Sequence, residues 1–266
     1  MDPTLLAQVA LLLRDAERES APIPPLIATW PQLAIDDAYR IQQINIEDRI
    51  AGGDFIVGHK VGLSSLAMQR MMGVDQPDFG HLLGSMEVPN GAAVDAATCI
   101  ALRVEVEVAF VLGSPLSGPD CTVEDVLAAT VEFRPAIELI DSRIADWKIG
   151  ISDTIADNAS SKGFVLGEPI AANSGIDSRM VPAVLWLNDE IIETGVSAAV
   201  LGHPARAVAW LANTLHRFGT TLEAGHVILP GSCTKAVGVK RGDRVRAEFG
   251  PLGDVSVSFS EEGVAL

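Results

Sequence analysis

The sequence has few cysteines and few basic residues, and each shortage excludes some classes of protein. Its three cysteines are far apart and form no C-x-x-C motif, which argues against a zinc cluster or a disulfide framework and favours a reducing, cytoplasmic environment. Lysine and arginine total 19 against 35 aspartates and glutamates, a formal net charge of −16. A surface this acidic repels phosphate backbones, so we expect no nucleic-acid partner, although a metal cation is not repelled.

Several common motifs are also missing. The sequence contains no G-x-G-x-x-G, P-loop, H-E-x-x-H or G-x-S-x-G, which leaves little support for a dinucleotide-binding, kinase, zincin or α/β-hydrolase interpretation. No stretch approaches 18 uncharged apolar residues, and charged residues interrupt the first 20, so we expect neither a membrane span nor a signal peptide. With 266 residues and 48% apolar composition, the chain is long enough to bury a core without disulfide or zinc.

Helical patterns come first in the chain, and strand patterns dominate the rest. A cap at Asp2-Pro3 and a stop at Gly52-Gly53 predict a helical N-terminal arm over residues 1–53, followed by a single unit over residues 54–266. Strand runs with scattered helices, without regular βαβ alternation, predict an α+β fold. The expected strands cover 55–62, 102–112, 132–140, 226–229, 244–249 and 255–259, with a hairpin over 183–193; the expected helices cover 66–72, a segment ending at 129 after a capping box at 122–125, and 204–218.

Two glutamates share one face of the clearest strand pattern. Because strand side chains alternate between faces, Glu105 and Glu107 lie opposite the intervening valines, roughly 7 Å apart along the strand. Two like charges this close repel each other, and strands disfavour glutamate. The pair is either the solvated face of a half-buried strand or part of a site for a divalent cation.

A third acid, Glu138, lies inside another apolar strand pattern. It is either a salt-bridged strand residue, with Arg143 as the candidate partner, or a third ligand that converges on the first two if the strands pair. Oxygen ligands with no cysteine or histidine nearby favour a hard cation such as Mg²⁺ or Mn²⁺ over zinc. Three carboxylates would leave about three of six octahedral positions for water or a bidentate substrate.

Other polar residues have open interpretations. Lys60 lies in an apolar pattern between Gly58 and Gly62, where a lysine is costly unless it is paired or functional, and the sequence favours neither. Asp78, in the turn expected over residues 75–80, is by default a turn-forming acid. The dense polar stretch over residues 141–160 is either a hydrogen-bonded loop or part of a site, and His203 is interpreted as a loop or packing residue.

Together, these motifs resemble the hydratase/decarboxylase branch of the fumarylacetoacetate hydrolase superfamily. The resemblance runs almost from end to end, and His59 is a small departure to which we assign no role. The segments that carry the resemblance are 58–63, 74–80, 105–107, 138–144, 146–147, 156–160, 201–204 and 210–213.

The resemblance implies a fold, a site and an assembly. The fold is a mixed β-roll of the superfamily's C-terminal-domain type, forming the catalytic domain behind the helical arm. The implied cofactor is a divalent metal, Mg²⁺ or Mn²⁺. The implied assembly is a cytoplasmic homo-oligomer that associates with the next aldolase of its pathway. The implied site residues are Lys60 and Asp78 for catalysis, Leu63 and Ser160 for substrate binding, and Glu105, Glu107 and Glu138 for the metal.

The implied activity is that of a metal-dependent hydro-lyase. Such an enzyme adds water to 2-hydroxypenta-2,4-dienoate, the tautomer of 2-oxopent-4-enoate, to give 4-hydroxy-2-oxopentanoate in the meta-cleavage degradation of aromatic compounds. The alternatives on the same fold are a 2-oxo-3-hexenedioate (4-oxalocrotonate) decarboxylase and an acylpyruvate hydrolase, and the remaining alternative is a non-enzymatic acidic scaffold. The sequence leaves open the substituent on the dienoate and the sign of the Lys60 pKa shift.

Overall fold

The computed structural model describes residues 1–260 and 263–266. Its helices are α1 (Pro3–Arg18), α2 (Leu26–Thr29), α3 (Ile35–Ala51), α4 (Leu66–Met72), α5 (Val123–Ala129), α6 (Ile151–Ala156) and α7 (Pro204–His216). Its strands are β1 (Ile56–Gly62), β2 (Asp78–Leu83), β3 (Glu87–Val88), β4 (Ala93–Asp95), β5 (Arg103–Leu112), β6 (Thr130–Ile140), β7 (Ser161–Leu166), β8 (Ile170–Ala171), β9 (Pro182–Leu187), β10 (Glu190–Val196), β11 (Val227–Leu229), β12 (Val237–Gly238), β13 (Arg244–Glu248) and β14 (Asp254–Ser260).

The strands form two sheets. Within the described residues, a nine-stranded sheet has the order β2-β1-β11-β5-β6-β7-β3, with β12 paired to β5 and β8 paired to β6, and a five-stranded sheet has the order β10-β9-β13-β14-β4. The larger sheet is mixed, because β1 and β11 are parallel whereas β5 and β6 are antiparallel. This arrangement agrees with the α+β expectation.

The core lies between the two sheets and determines which way β5 faces. Val104, Val106 and Val108 on one face of β5 belong to the same buried cluster as Leu185 and Val257 of the smaller sheet. Burying an apolar side chain of this size stabilises the fold by about 1.5–3 kcal/mol. Because side chains alternate along the strand, this packing holds the intervening glutamates on the opposite face of the larger sheet.

The N-terminal helices pack against the polar stretch that follows β6. Helix α1 begins at the predicted Asp2 cap. Leu13 of α1 and Ile41 of α3 share a buried cluster with Ile144 and Ile155. The division of the chain into an arm over residues 1–53 and a second unit over residues 54–266 stays a prediction.

Local signals located several elements correctly. Thr122 and Asp125 form the predicted capping box at the start of α5, with the Thr122 Oγ1 accepting from the Asp125 N–H at 3.2 Å and the Asp125 carboxylate accepting from the Thr122 N–H at 2.9 Å. The predicted hairpin is β9–β10, and its turn residues Asn188 and Asp189 have φ angles of 52° and 69°. Asparagine and aspartate tolerate this left-handed backbone better than most residues do.

The turn predicted over residues 75–80 is wrong at its end. Asp78 is the first residue of β2, which pairs antiparallel with β1 so that Asp78 lies opposite Gly62 and Gly80 lies opposite Lys60. The local signal from Pro77 marks the turn before the strand, but the pairing partner is remote in sequence, so the pattern gave no sign of it. The described residues include no helix that is both long enough and apolar enough to span a bilayer.

Candidate metal centre and active site

Three carboxylates converge where β5 and β6 pair. The register places Glu105 directly opposite Glu138, and Glu107 lies two residues along β5 on the same face. Glu107 and Glu138 are fully buried, and Glu105 is half-buried. One oxygen from each of the three carboxylates lies within 4.8 Å of the others. The convergence predicted from the two strand patterns is therefore confirmed.

The carboxylate cluster fits a hard divalent cation. The Glu107 Oε2 accepts from the Gly231 N–H at 2.6 Å and the Glu138 Oε1 accepts from the Ser161 hydroxyl at 3.1 Å. The second oxygen of each, Glu107 Oε1 and Glu138 Oε2, is buried without a hydrogen-bond partner among the described residues. Buried carboxylate oxygens without hydrogen-bond partners are costly, and a cation that takes oxygen ligands would offset that cost.

The electrostatics of the cluster agree with this reading. Burial is the main cause that raises the pKa of each carboxyl group: Glu138 to about 7, Glu105 upward, and Glu107 well above its ordinary value. Repulsion between the carboxylates acts in the same direction on Glu107 and Glu138, whereas the positive charge of Lys60 opposes it. A bound cation would favour the ionised forms of all three.

Lys60 extends from β1 into the same cluster. Its buried Nζ lies 3.4 Å from the Glu138 Oε1 and donates to the Ala159 carbonyl at 3.0 Å. Burial lowers the pKa of Lys60, but the neighbouring carboxylates, Glu138 first, outweigh burial, so the net direction is upward. The protein's own charges, without a bound cation, therefore favour the ammonium form of Lys60.

Asp78 enters the site from the start of β2. Its carboxyl group is buried, and the Thr154 side chain interacts with it. Burial raises the pKa of Asp78, and the charge of Lys60 opposes that rise. Gly62 makes room for this carboxyl group, because a Cβ at Gly62 would lie 2.1 Å from the Asp78 Oδ1 and 3.5 Å from the Lys60 Nζ.

Two further residues that the resemblance implies lie on the segments next to Lys60. Ser160 follows Ala159, is buried, and has a hydroxyl without a partner among the described residues. Leu63 comes directly after β1 with a φ of 52°, is half-buried, and accepts from the Gln69 side chain through its carbonyl at 2.9 Å.

The polar side chains over residues 141–160 mainly hydrogen-bond to backbone groups. The Asp141 carboxylate accepts from the Ile100 and Ala101 N–H groups at 2.8 and 2.6 Å. Arg143 binds the carboxylate of Asp157, so the pairing of Arg143 with Glu138 that the sequence suggested is wrong. Glu138 is salt-bridged instead to Lys60, because β1 brings that lysine to the cluster from a distant part of the chain.

Sequence reasoning did not find Gly231 and Ser161, which both bind the carboxylates. Gly231 has a φ of 127°, and a Cβ there would lie 1.6 Å from the Ser64 Oγ, so the position requires glycine. Its only sequence signal is a Pro-Gly pair. His203, by contrast, caps α7 by accepting from the Ala205 N–H at 3.1 Å, which agrees with its interpretation as a loop or packing residue.

A family model described as fumarylacetoacetate (FAA) hydrolase C-terminal matches residues 67–259. The chain belongs to this family. Its α+β fold is therefore that of the FAA hydrolase C-terminal domain, as the sequence motifs implied.

Several proteins with similar sequences are named hydratases. A 2-hydroxyhexa-2,4-dienoate hydratase of Comamonas testosteroni is 43% identical over 94% of this chain and 95% of its own length. A 2-keto-4-pentenoate hydratase of Burkholderia vietnamiensis is 42% identical over 98% of this chain and 99% of its own. A 2-oxo-hept-4-ene-1,7-dioate hydratase of Escherichia coli is 40% identical over 96% and 97%.

A solved structure in the same family matches nearly the whole fold. The 4-oxalocrotonate decarboxylase from Pseudomonas putida G7, complexed with magnesium and adipate, superposes with a TM-score of 0.94 at 37% identity, covering 97% of this chain and 98% of its own.

Proposed function

We propose that this protein is a metal-dependent hydratase that adds water to 2-hydroxypenta-2,4-dienoate, the tautomer of 2-oxopent-4-enoate, to give 4-hydroxy-2-oxopentanoate. The reaction is that of a carbon–oxygen lyase and belongs to the meta-cleavage degradation of aromatic compounds. The single observation that carries the proposal is the convergence of three carboxylates and a buried lysine at one point. Relatives named hydratases at 40–43% identity over almost the full length support it.

Glu105, Glu107 and Glu138 would hold the cation, Mg²⁺ or Mn²⁺. When bound, the cation supplies Lewis-acid stabilisation of the negative charge that develops on the C2 oxygen of the substrate. The oxygen-only donor set supports a hard cation. The related decarboxylase has been seen with magnesium and, in a second structure, with calcium and acetate.

Lys60 and Asp78 are the proposed acid–base groups. The reaction requires a proton at C5, the oxygen of water at C4 and a proton at C3, while the substrate's C2 hydroxyl loses its proton. The Lys60 ammonium, held by carboxylates, can donate a proton or a hydrogen bond. The Asp78 carboxyl group, whose pKa burial raises, can hold a proton and return it.

Ser160 and Leu63 are the proposed substrate contacts. The Ser160 hydroxyl is buried and has no partner among the described residues, so a substrate oxygen can take its hydrogen bond. Leu63, half-buried just beyond β1, offers an apolar contact for the vinyl end of a dienoate. The same contact would accept a longer alkyl substituent.

The second candidate function is decarboxylation of 2-oxo-3-hexenedioate, which the match to the P. putida decarboxylase favours. One experiment separates the two. The protein is incubated with Mg²⁺ and either substrate, and ultraviolet absorbance, product mass and released CO₂ are followed together. Hydration adds 18 mass units to the dienoate without CO₂, whereas stoichiometric CO₂ from the hexenedioate with no hydrated product supports the decarboxylase.

The assembly implied by the resemblance belongs to this proposal too. We propose a cytoplasmic homo-oligomer that associates with the next aldolase of the pathway. Large apolar side chains such as Phe55, Leu66 and Met180 are 62%, 60% and 67% exposed in the single chain, and an interface that covered them would remove apolar surface from water. Sedimentation analysis of the purified protein tests it, because a monomer at micromolar concentration would contradict the proposed oligomer.

A further inference from the structure

Residues 158–160 form a turn that local preference does not explain. Asn158, Ala159 and Ser160 have φ angles of 52°, 52° and 55°. Glycine adopts this region freely and asparagine tolerates it, but alanine and serine do so rarely. A backbone of this kind persists only where the surrounding contacts fix it. The contacts that fix this turn therefore identify residues on which the site depends.

The side chain of Asn158 attaches the turn to β2. Its Oδ1 accepts from the His81 N–H at 2.8 Å, and its Nδ2 donates to the His81 carbonyl at 2.9 Å. One carboxamide thus satisfies both backbone groups of a residue on the edge strand of the larger sheet, as a neighbouring strand would. Gly80 allows the approach, because a Cβ there would lie 2.4 Å from the Asn158 carbonyl oxygen.

The turn delivers a hydrogen-bond acceptor to Lys60. The Ala159 carbonyl accepts from the Lys60 Nζ at 3.0 Å, and Gly80, against which the turn packs, lies opposite Lys60 in the β1–β2 pairing. The next residue, Ser160, has a buried hydroxyl that makes no hydrogen bond to the described residues. A chain of direct contacts therefore runs from the Asn158 carboxamide to the Lys60 ammonium.

We infer that Asn158 is a positioning residue, whose carboxamide orients the Lys60 ammonium and the Ser160 hydroxyl through the left-handed turn. This inference rests on the catalytic role proposed for Lys60. The Asn158 side chain makes its bonds to β2 rather than to the carboxylates. Its loss should therefore disturb the reacting groups and leave the metal ligands in place.

Two substitutions at Asn158 distinguish the loss of the carboxamide hydrogen bonds from the effect of backbone strain. Asn158→Gly removes the carboxamide but suits the positive φ, and Asn158→Leu keeps similar bulk without the hydrogen bonds. We expect kcat to fall about 10- to 100-fold in both, the scale set by a small misplacement of a reacting group. The affinity for Mn²⁺, measured by calorimetry, should stay close to that of the unchanged protein, whereas the KM for the dienoate should rise because Ser160 is a proposed substrate contact.

Asn188 provides a matched control. It also has a φ of 52°, and its carboxamide also makes two bonds, to the Asp243 carboxylate at 2.8 Å and from the Arg244 N–H at 2.9 Å. It lies in the β9–β10 turn of the smaller sheet. Asn188→Gly therefore removes an equivalent pair of hydrogen bonds far from the proposed site, and we expect its kcat to be unchanged.

A second readout does not require turnover. Lys60 and Lys162 are both 3% exposed, and the Lys162 Nζ is held by Glu17 at 3.2 Å. The rates at which acetic anhydride modifies the two lysines are compared by mass spectrometry. In Asn158→Gly we expect faster labelling of Lys60 with Lys162 unchanged, and in Asn188→Gly we expect no change at either lysine.

The outcomes decide the inference separately from the proposed function. Unchanged kcat and unchanged Lys60 labelling in both Asn158 variants would overturn it, as would an equal loss of kcat in Asn188→Gly. If the unchanged protein turns over neither dienoate nor hexenedioate, the proposed function fails, and the Lys60 labelling ratio still decides whether Asn158 positions Lys60.

Discussion

Two buried ion-pair networks lie within one fold, and they differ in how completely their hydrogen bonds are made. In the first, the Arg143 guanidinium binds the Asp157 carboxylate and donates to the carbonyls of Asp141, Asp157 and Ser161. The Asp157 carboxylate also accepts from the Arg143 backbone N–H at 3.0 Å. Burial alone would make such a pair costly, but saturated hydrogen bonding offsets that cost.

The second network, around Lys60 and Glu138, is left unsaturated. Glu138 Oε2 and Glu107 Oε1 are buried and lack partners among the described residues. Native proteins leave few such atoms unpaired, and each one calls for an explanation. The comparison indicates that the saturated network supports the fold, whereas the unpaired oxygens of the second fit the proposed binding of a cation and a substrate.

The largest expected effect comes from removing one carboxylate of the open network. Glu138→Gln should abolish Mg²⁺-dependent loss of the dienoate's ultraviolet absorbance and weaken Mn²⁺ binding by at least about a hundredfold, because a neutral amide replaces a charged ligand. Calorimetry and absorbance measure the two effects. Glu105→Gln should behave in the same way.

Glu132→Gln is the matched control, because Glu132 lies on the same strand, opposite Val111 rather than Glu105. It should retain activity and metal binding. Full activity in Glu138→Gln would reject the metal assignment. If Glu138→Gln lost as much folding stability as an Arg143 variant, the two networks would no longer differ in this respect.

Next in size is the loss of the lysine. Lys60→Ala should slow turnover by about 10²–10⁴-fold, the usual contribution of a positioned acid or base, while weakening Mn²⁺ binding much less. Lys162→Ala removes another buried lysine, one paired with Glu17 instead of the cluster, and should leave kcat unchanged. Loss of metal binding alone in Lys60→Ala would argue against an acid–base role.

The closed network should respond through stability instead. Arg143→Met leaves the Asp157 carboxylate buried and unpaired, so we expect the free energy of unfolding to fall by about 3–5 kcal/mol. The double variant Arg143→Met/Asp157→Leu removes both charges and should recover much of that loss. Urea unfolding measures both. If the double variant is no more stable than the single one, the uncompensated charge is not the cause.

How much of these two networks the sequence predicts depends on whether a feature is local in the chain or depends on how the chain folds back on itself. Strand alternation placed Glu105 and Glu107 on one face, and a second strand pattern supplied Glu138, because periodicity is a local property. The saturated network escapes prediction, since the sequence offers Arg143 only as a candidate partner for Glu138 and does not indicate its pairing with Asp157. That choice depends on how residues 141–161 fold back on themselves, which no periodic pattern encodes.

The catalytic candidates show the same limit. The costly position of Lys60 was visible in its apolar strand, but Asp78 was interpreted as a turn acid because the pairing that brings it opposite Gly62 joins distant segments. The left-handed backbone at Ala159 and Ser160 contradicts local preference and is held by tertiary contacts. Only the resemblance to the FAA hydrolase superfamily singled out Asp78 and Ser160.

The smallest expected effect concerns unsaturated groups outside both networks, on the opposite face of β1 and β2. His59 is fully buried with both ring nitrogens unpartnered among the described residues, and its ring centroid lies 4.9 Å from that of His81. Burial lowers the pKa of His81 to about 4 and that of His59 well below its ordinary value.

Both histidines therefore stay neutral in the folded protein. In the unfolded chain, the same histidines take up protons below their ordinary pKa of about 6.5. The unfolded state binds more protons in this window, so stability is full above about pH 6.5 and falls as the pH drops toward 4. His81 alone should contribute on the order of 3 kcal/mol to that fall. Urea unfolding at several pH values between 7.5 and 4.5 measures the slope, which His81→Gln should flatten and which substitution of the exposed His216 should leave unchanged. An equal slope in His81→Gln would show that the burial of His81 places no pH-dependent cost on the fold.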